Sequence, residues 1–187
     1  MIISELLNSG AKTLKVNKIR TYQLDSELVL SSLLKKQRED LIVNSNHKVS
    51  KDTIFDFKEL ISRRARREPL AYIFKNKEFW SKDFFVDRHT LIPRPETELL
   101  CEKVIKIFKN KHPYILDMGT GSGCILLSIL IELRGGKGVG IDISRKAIDV
   151  AKKNSLRLGL DKRAKFFNKS LESIQGYKFD IIVSNPP

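Results

Sequence analysis

Glycine divides this chain into two kinds of structure. Of its ten glycines, only Gly10 precedes position 119, and seven fall between Gly119 and Gly140. Before that point apolar residues recur at helical spacing: Leu24, Leu28, Leu30, Leu33 and Leu34 form one stripe, and Ile54, Phe57, Leu60 and Ile61 another. Ser50 occupies an N-cap position with Asp52 in the first turn behind it. The pattern predicts helices near 2–15, 21–35, 37–43 and 51–67, and so a small helical domain over residues 1–68.

Pro69 closes that region. From Leu70 to Val86 the residues become aromatic and β-branched (Tyr72, Ile73, Phe74, Phe79, Trp80, Phe84, Phe85, Val86), with polar breaks at Lys75–Lys77 and Ser81–Asp83. This reads as a hairpin linker over 69–92, with Trp80 packing in it. Pro93-Arg-Pro-Glu-Thr-Glu98 then opens a helix running to about Lys109, proline and acids marking its first turn. From Pro113 strands and helices alternate: strands at Tyr114–Met118, Gly138–Ile143, Ala164–Phe167 and Phe179–Ser184, helices at Cys124–Arg134 and Arg145–Leu158. That rhythm predicts an α/β fold with a parallel, doubly wound sheet in a domain over 93–187.

The densest glycine run, Gly119-Thr120-Gly121-Ser122-Gly123, lies between the first of these strands and its helix. Alternating glycines let the backbone turn sharply and let a ligand lie against the main chain. The helix start behind the loop offers free N–H groups. A P-loop requires Gly-Lys-Ser/Thr, and here Cys124 follows Gly123. A dinucleotide fingerprint requires its third glycine one residue later. Asp142 ends the next strand, where an acid reaches a ribose diol. Loop and acid together predict an adenosine-containing ligand, and the loop resembles the cofactor loop of S-adenosylmethionine-dependent methyltransferases.

The run Phe179-Asp-Ile-Ile-Val-Ser184 reads as a strand buried on both faces, delivering Asn185-Pro186-Pro187 at its carboxyl end. With strand order 3-2-1-4, Asn185 and the glycine loop meet where the order reverses, which is where such sheets bind ligands. These residue types suit methylation of a planar nitrogen. The Asn185 side-chain oxygen and the Pro186 carbonyl each accept one N–H of an amide or aromatic amine, orienting it without a covalent intermediate. Proline keeps the segment rigid.

Composition narrows the alternatives. Two cysteines, Cys101 and Cys124, rule out a disulfide scaffold and a multi-thiolate zinc site. Cys124, at a helix start, is where a thiol pKa is lowered, but neither cysteine is read as a nucleophile. His47, His89 and His112 are scattered and form no metal site. The longest apolar run, Cys124–Leu133, is far short of the ~20 residues that span a bilayer. With no basic leader, the chain is expected in the cytosol. The net charge of +13 is spread over residues 1–112 and 113–187 alike, densest at Arg63-Arg64-Ala65-Arg66-Arg67. It suits either a general basic surface or a purposeful phosphate- or RNA-facing patch; a partner on the ribosome fits both, and nucleic acid is not required as a partner.

The sequence resembles the release factor glutamine methyltransferases (HemK/PrmC type) through most of its length. The shared segments are Asp25-Ser-Glu-Leu28, Glu68-Pro-Leu-Ala-Tyr-Ile73, Glu78-Phe-Trp80, Leu91-Ile-Pro-Arg-Pro-Glu-Thr-Glu98, Ile115–Gly123 and Phe179–Pro187. The resemblance implies a helical domain that docks peptide chain release factors, and methyl transfer from S-adenosylmethionine to the glutamine amide of their Gly-Gly-Gln motif. It implies cofactor binding by Gly119, Thr120, Gly121, Ser122, Gly123, Asp142, Ser170, Leu171 and Asn185. It implies catalysis by Asn185 and Pro186, with Pro187 completing the substrate site. Rival readings with the same architecture are a methyltransferase for a ribosomal-protein glutamine or a nucleic-acid adenine amine. Arg67 and Lys75 stand where the family has glycine, and Ser170 where it has aspartate. The family continues Asn-Pro-Pro with an aromatic residue and further strands. Residues 93–187 therefore read as the N-terminal part of a truncated methyltransferase domain, with an inactive, binding-only fragment as the alternative to the enzyme reading.

Overall fold

The computed structural model describes every residue except Gln175 and Pro187, and every side chain but those two and those of Leu171 and Ile174. The chain divides into two compact units, Met1–Phe74 and Lys75–Pro187.

The first unit contains α1 (Ile3–Val16), α2 (Tyr22–Leu34), α3 (Arg38–Val43), α4 (Lys51–Ala65) and the single turn α5 (Leu70–Ile73). Leu6, Leu14, Val29, Leu30, Leu41, Phe57 and Ile61 form its core. Helices α1, α2 and α4 approach closely at Gly10, where a Cβ would lie 2.6 Å from the Phe57 ring and 2.7 Å from Ser26 Oγ. The Ser50 hydroxyl accepts the Thr53 N–H at 3.1 Å and caps α4. Within the arginine cluster, Arg64 Nε reaches the buried Asp25 carboxylate at 2.6 Å. Arg63 pairs with Glu68, which raises the Arg63 pKa. Half of that cluster is therefore paired within the unit, Arg64 joining α4 to α2 and Arg63 holding the segment that follows α4.

Leu70–Ile73, read above as the start of the hairpin, is helical instead. Pro69 leaves its carbonyl to accept Tyr72 and Ile73 N–H groups at 3.0 and 3.1 Å, and Leu70 and Phe74 pack on the helical core. The hairpin is shorter, β1 (Lys77–Phe79) against β2 (Lys82–Phe84). It turns at Trp80–Ser81, both at positive φ (52° and 51°), the sense that matches strand twist. Trp80 is pinned at both ends: its backbone N–H donates to Glu98 (2.8 Å) and its indole N–H to Glu132 (3.1 Å). Phe79 and Phe84 enter the core of the second unit.

Arg67 and Lys75 adopt φ of 69° and 53°. A side chain there costs roughly 1–2 kcal/mol, against roughly 0.5–1 kcal/mol of extra chain entropy for glycine. Lys75→Gly is expected to hold or raise the thermal unfolding midpoint; a fall of several degrees would contradict this.

The second unit continues with a 3-10 turn (Pro95–Thr97), α6 (Glu98–Ile107), β3 (Tyr114–Met118), α7 (Cys124–Glu132), β4 (Lys137–Asp142), α8 (Arg145–Arg157), β5 (Ala164–Asn168) and β6 (Ile181–Ser184). The four strands are parallel in the order β5-β4-β3-β6. The order thus reverses at β3, as the sequence predicts. Ile115, Ala164, Phe166 and Val183 meet α6, α7 and α8 on one face. Leu116, Val139 and Ile141 form a smaller cluster with Tyr114, Met118 and Phe179. The last strand departs from expectation: it begins at Ile181, and Ile182 is 54% exposed. Among the described residues β6 pairs only with β3 and is an edge, and Ile182 stands on the same face as Leu116 at the margin of the smaller cluster.

Candidate functional site

The glycine loop leaves β3 with Gly119, Gly121 and Gly123 all at positive φ (67°, 54° and 79°). A side chain at any of them would strain the turn. Hydrogen bonds fix the loop to its neighbours. Thr120 N–H donates to the Ile141 carbonyl (3.0 Å) on β4. Gly121 N–H donates to one Asp142 oxygen (3.0 Å), while Ser144 N–H donates to the other (2.8 Å). The buried Asn154 amide donates to the Ser122 and Phe85 carbonyls, both at 2.9 Å. Backbone donors thus aim the Asp142 carboxylate before any ligand arrives, and a carboxylate has acceptor sites to spare.

An open cavity of about 530 Å³ lies at the carboxyl ends of β3, β4 and β6, in the size range of small-molecule sites. Of the residues singled out in the sequence, Gly119, Gly121, Asp142, Ser170, Asn185 and Pro186 line it. Thr120, Ser122 and Gly123 do not; the Thr120 and Ser122 side chains are buried beneath the loop. The Ser170 hydroxyl donates to Glu172 at 3.2 Å. The Leu171 side chain and Pro187 lie outside the described residues.

Four further features were not read as site residues. His89, Thr90 and Leu91 form one wall of the cavity; no spacing signal marked them. Ile143 is 84% exposed beside Asp142, an apolar surface at the cavity. Thr97, in the segment Pro93–Glu98, accepts a hydrogen bond from the Asn185 side-chain nitrogen at 3.2 Å. That bond leaves the Asn185 oxygen as the atom available to another partner. Thr97→Val, which keeps the shape and removes the acceptor, is expected to lower turnover about fivefold without changing cofactor affinity. Equal turnover in the two proteins would show that the bond does not position Asn185.

Asp117 is the fourth. It lies in β3, two residues before Gly119, and is buried. Burial pushes its pKa up to about 7, against the opposing pull of the Thr120 hydroxyl (2.7 Å) and the Leu126 N–H. The acid at position 117 stands two residues ahead of Gly119 in the sequence, which was a usable signal. Cys124 corrects an expectation: burial raises its pKa to about 12, outweighing the helix start. Cys101 is raised to about 12 for the same reason.

Comparison with known proteins agrees with this layout. Residues 5–74 match the PrmC N-terminal domain, and residues 109–186 match a methyltransferase domain. A release factor glutamine methyltransferase of Buchnera aphidicola subsp. Baizongia pistaciae is 42% identical, over 88% of this chain and 59% of that protein. The Rhodospirillum rubrum protein of the same description is 36% identical, over 100% and 58%. A bifunctional methyltransferase of Rickettsia typhi is 35% identical, over 99% and 40%. The chain thus spans about half the length of the curated relatives it matches. A SAM-dependent methyltransferase from Agrobacterium tumefaciens shares the fold, with a TM-score of 0.51 and 21% identity over 60% of this chain and 39% of that one. With its PrmC N-terminal domain followed by a methyltransferase domain, the chain is a relative of the release factor glutamine methyltransferases.

Proposed function

We propose that the protein binds S-adenosylmethionine in the cavity at the glycine loop and methylates the glutamine side-chain amide in the Gly-Gly-Gln motif of peptide chain release factors. The observation that carries this reading is Asn185 at the carboxyl end of β6, in the same cavity as Gly119, Gly121 and Asp142.

The residues fit the cofactor. Apart from the glycine and its chain neighbours, no protein atom lies within 4 Å of a Cβ built on Gly119, and only the Gly119 carbonyl, at 4.0 Å, approaches one on Gly121. Side chains there would take up cavity space, and glycine leaves it to a ligand. Asp142 would accept from the ribose hydroxyls, with Ile143 and Leu91 offering apolar surface to the base. Ser170 would add a hydroxyl near it. When bound, S-adenosylmethionine supplies an electrophilic methyl group on a sulfonium.

The target amide is a poor nucleophile because its lone pair is delocalised. Asn185 Oδ1 and the Pro186 carbonyl would each hold one amide hydrogen, turning the nitrogen lone pair toward the methyl. As the new N–CH₃ bond forms, the S–CH₃ bond breaks and one amide proton is released. The gain comes from orientation and from oxygens placed where positive charge develops on nitrogen. Thr97 keeps the Asn185 amide turned the right way, and Pro187 would complete the substrate wall.

In this reading residues 1–68 dock the release factor, 69–92 link and contribute Leu91 to the cofactor cavity, and 93–187 carry the chemistry. The protein works in the cytosol; no described helix is long and apolar enough to cross a membrane. Titration with S-adenosylhomocysteine tests the cofactor step: Asp142→Ala is expected to weaken binding by at least about tenfold. Equal affinity in the two proteins, or no binding by either, would overturn the assignment.

A further inference from the structure

Two stretches without regular secondary structure wall the cavity: the glycine loop, 119–123, and a strap, 85–91, that follows β2 and brings in His89, Thr90 and Leu91. Irregular backbone keeps its place only where its N–H and C=O groups find partners. One side chain serves both stretches. Asn154, on α8 and 1% exposed, accepts the Phe85 N–H on Oδ1 at 2.8 Å. Its Nδ2 donates to the Phe85 and Ser122 carbonyls, each at 2.9 Å. Both N–H groups of the amide and its oxygen are thus engaged, yet none of Asn154, Phe85 and Ser122 lines the cavity.

The strap passes this hold on to the cavity wall. Val86, next to the clamped residue, is fully buried, and Lys153 Nζ, also on α8, lies 3.4 Å from the Phe85 ring centroid. The turn that follows is tied to itself. The Asp87 carbonyl accepts the Thr90 N–H at 3.0 Å, and the Asp87 carboxylate accepts the His89 N–H at 2.9 Å. Displacing Phe85 therefore displaces residues 89–91 as one piece. On the loop side, Ser122 follows Gly121, whose N–H aims the Asp142 carboxylate.

Packing alone does not call for asparagine at this position. A leucine of similar size would fill the space but leave three backbone groups without partners, two on the strap and one on the loop. We propose that Asn154 is a positioning residue for the cofactor: it sets the spacing between strap and glycine loop and makes each hold the other in place. The proposal rests on the cofactor reading of the cavity given above.

Amide exchange followed by NMR and titration with S-adenosylhomocysteine, both on the whole chain, test it. In the wild type, ligand should slow exchange at the Phe85 N–H, which lies outside the cavity. Asn154→Asp keeps the shape and the acceptor for Phe85 but removes both donors. Without ligand it should speed exchange in strap and loop together, and it should weaken ligand binding roughly tenfold. Arg163→Gln is the control, because Arg163 clamps the Leu130, Leu133 and Gly136 carbonyls, none of which lines the cavity. It should lower the unfolding midpoint and leave affinity unchanged. The proposal is overturned if ligand leaves Phe85 exchange unchanged, if Asn154→Asp binds as tightly as the wild type, or if Arg163→Gln weakens binding as much. Faster exchange confined to the strap in Asn154→Asp would overturn the coupling. No binding by the wild type would overturn the cofactor reading itself, and this proposal with it.

Discussion

Asn185→Ala is expected to lower the methyl-transfer rate at least about 100-fold, the scale measured when one preorganised hydrogen-bonding group is removed from a transition state. Cofactor affinity should change far less, because the glycine loop and Asp142 stand on β3 and β4 and hold each other through the Gly121–Asp142 bond. The split matters, since a variant that merely unfolds the cavity would lose both. Alanine removes the acceptor for one amide hydrogen and leaves the backbone path through Pro186. Thr97→Val is the milder companion: the Asn185 oxygen remains but its orientation is no longer enforced. If Asn185→Ala retained more than a tenth of wild-type turnover, the amide would not be held as proposed.

The second large effect concerns pH. Asp117 has a folded-state pKa of about 7 against 3.8 when free. A carboxyl whose pKa is raised on folding binds its proton more tightly in the native state. Its contribution to stability is therefore fully present below about pH 4, falls between pH 4 and 7, and is gone above 7. The whole swing approaches about 4 kcal/mol, at 1.36 kcal/mol per pKa unit. Asp117→Asn keeps the shape and an acceptor for Thr120 but cannot ionise. It should match the wild type near pH 4 and exceed it at pH 8, by up to that amount. Denaturant unfolding at the two pH values checks this. A difference between the two proteins that does not vary with pH would mean that Asp117 is not driven toward neutrality by burial.

Much of the fold was legible because periodicity changes along the chain. Leucines at helical spacing marked α2 and α4, and alternating strands and helices marked the parallel sheet. The glycine loop and Asp142 were found because both are local signals, tied to the end of a strand. Leu70–Ile73 misled because aromatic and β-branched residues also suit a helical turn that packs on a core, and Pro69 decided the matter. Ile182 misled because a purely apolar run does not state which of its faces is covered. The Thr97–Asn185 bond spans 88 residues, and nothing in local spacing announces such a pairing. Cys124 shows a competition that sequence alone does not weigh: a helix start lowers a thiol pKa, and burial raised it further.

The proposed destination of the methyl group is tested most directly by incubating the protein with methyl-labelled S-adenosylmethionine and a release factor. Label should enter the release factor and vanish when the Gly-Gly-Gln glutamine is replaced by alanine, or when Asn185 is. Label in nucleic acid or a ribosomal protein, with none in the release factor, would contradict the account.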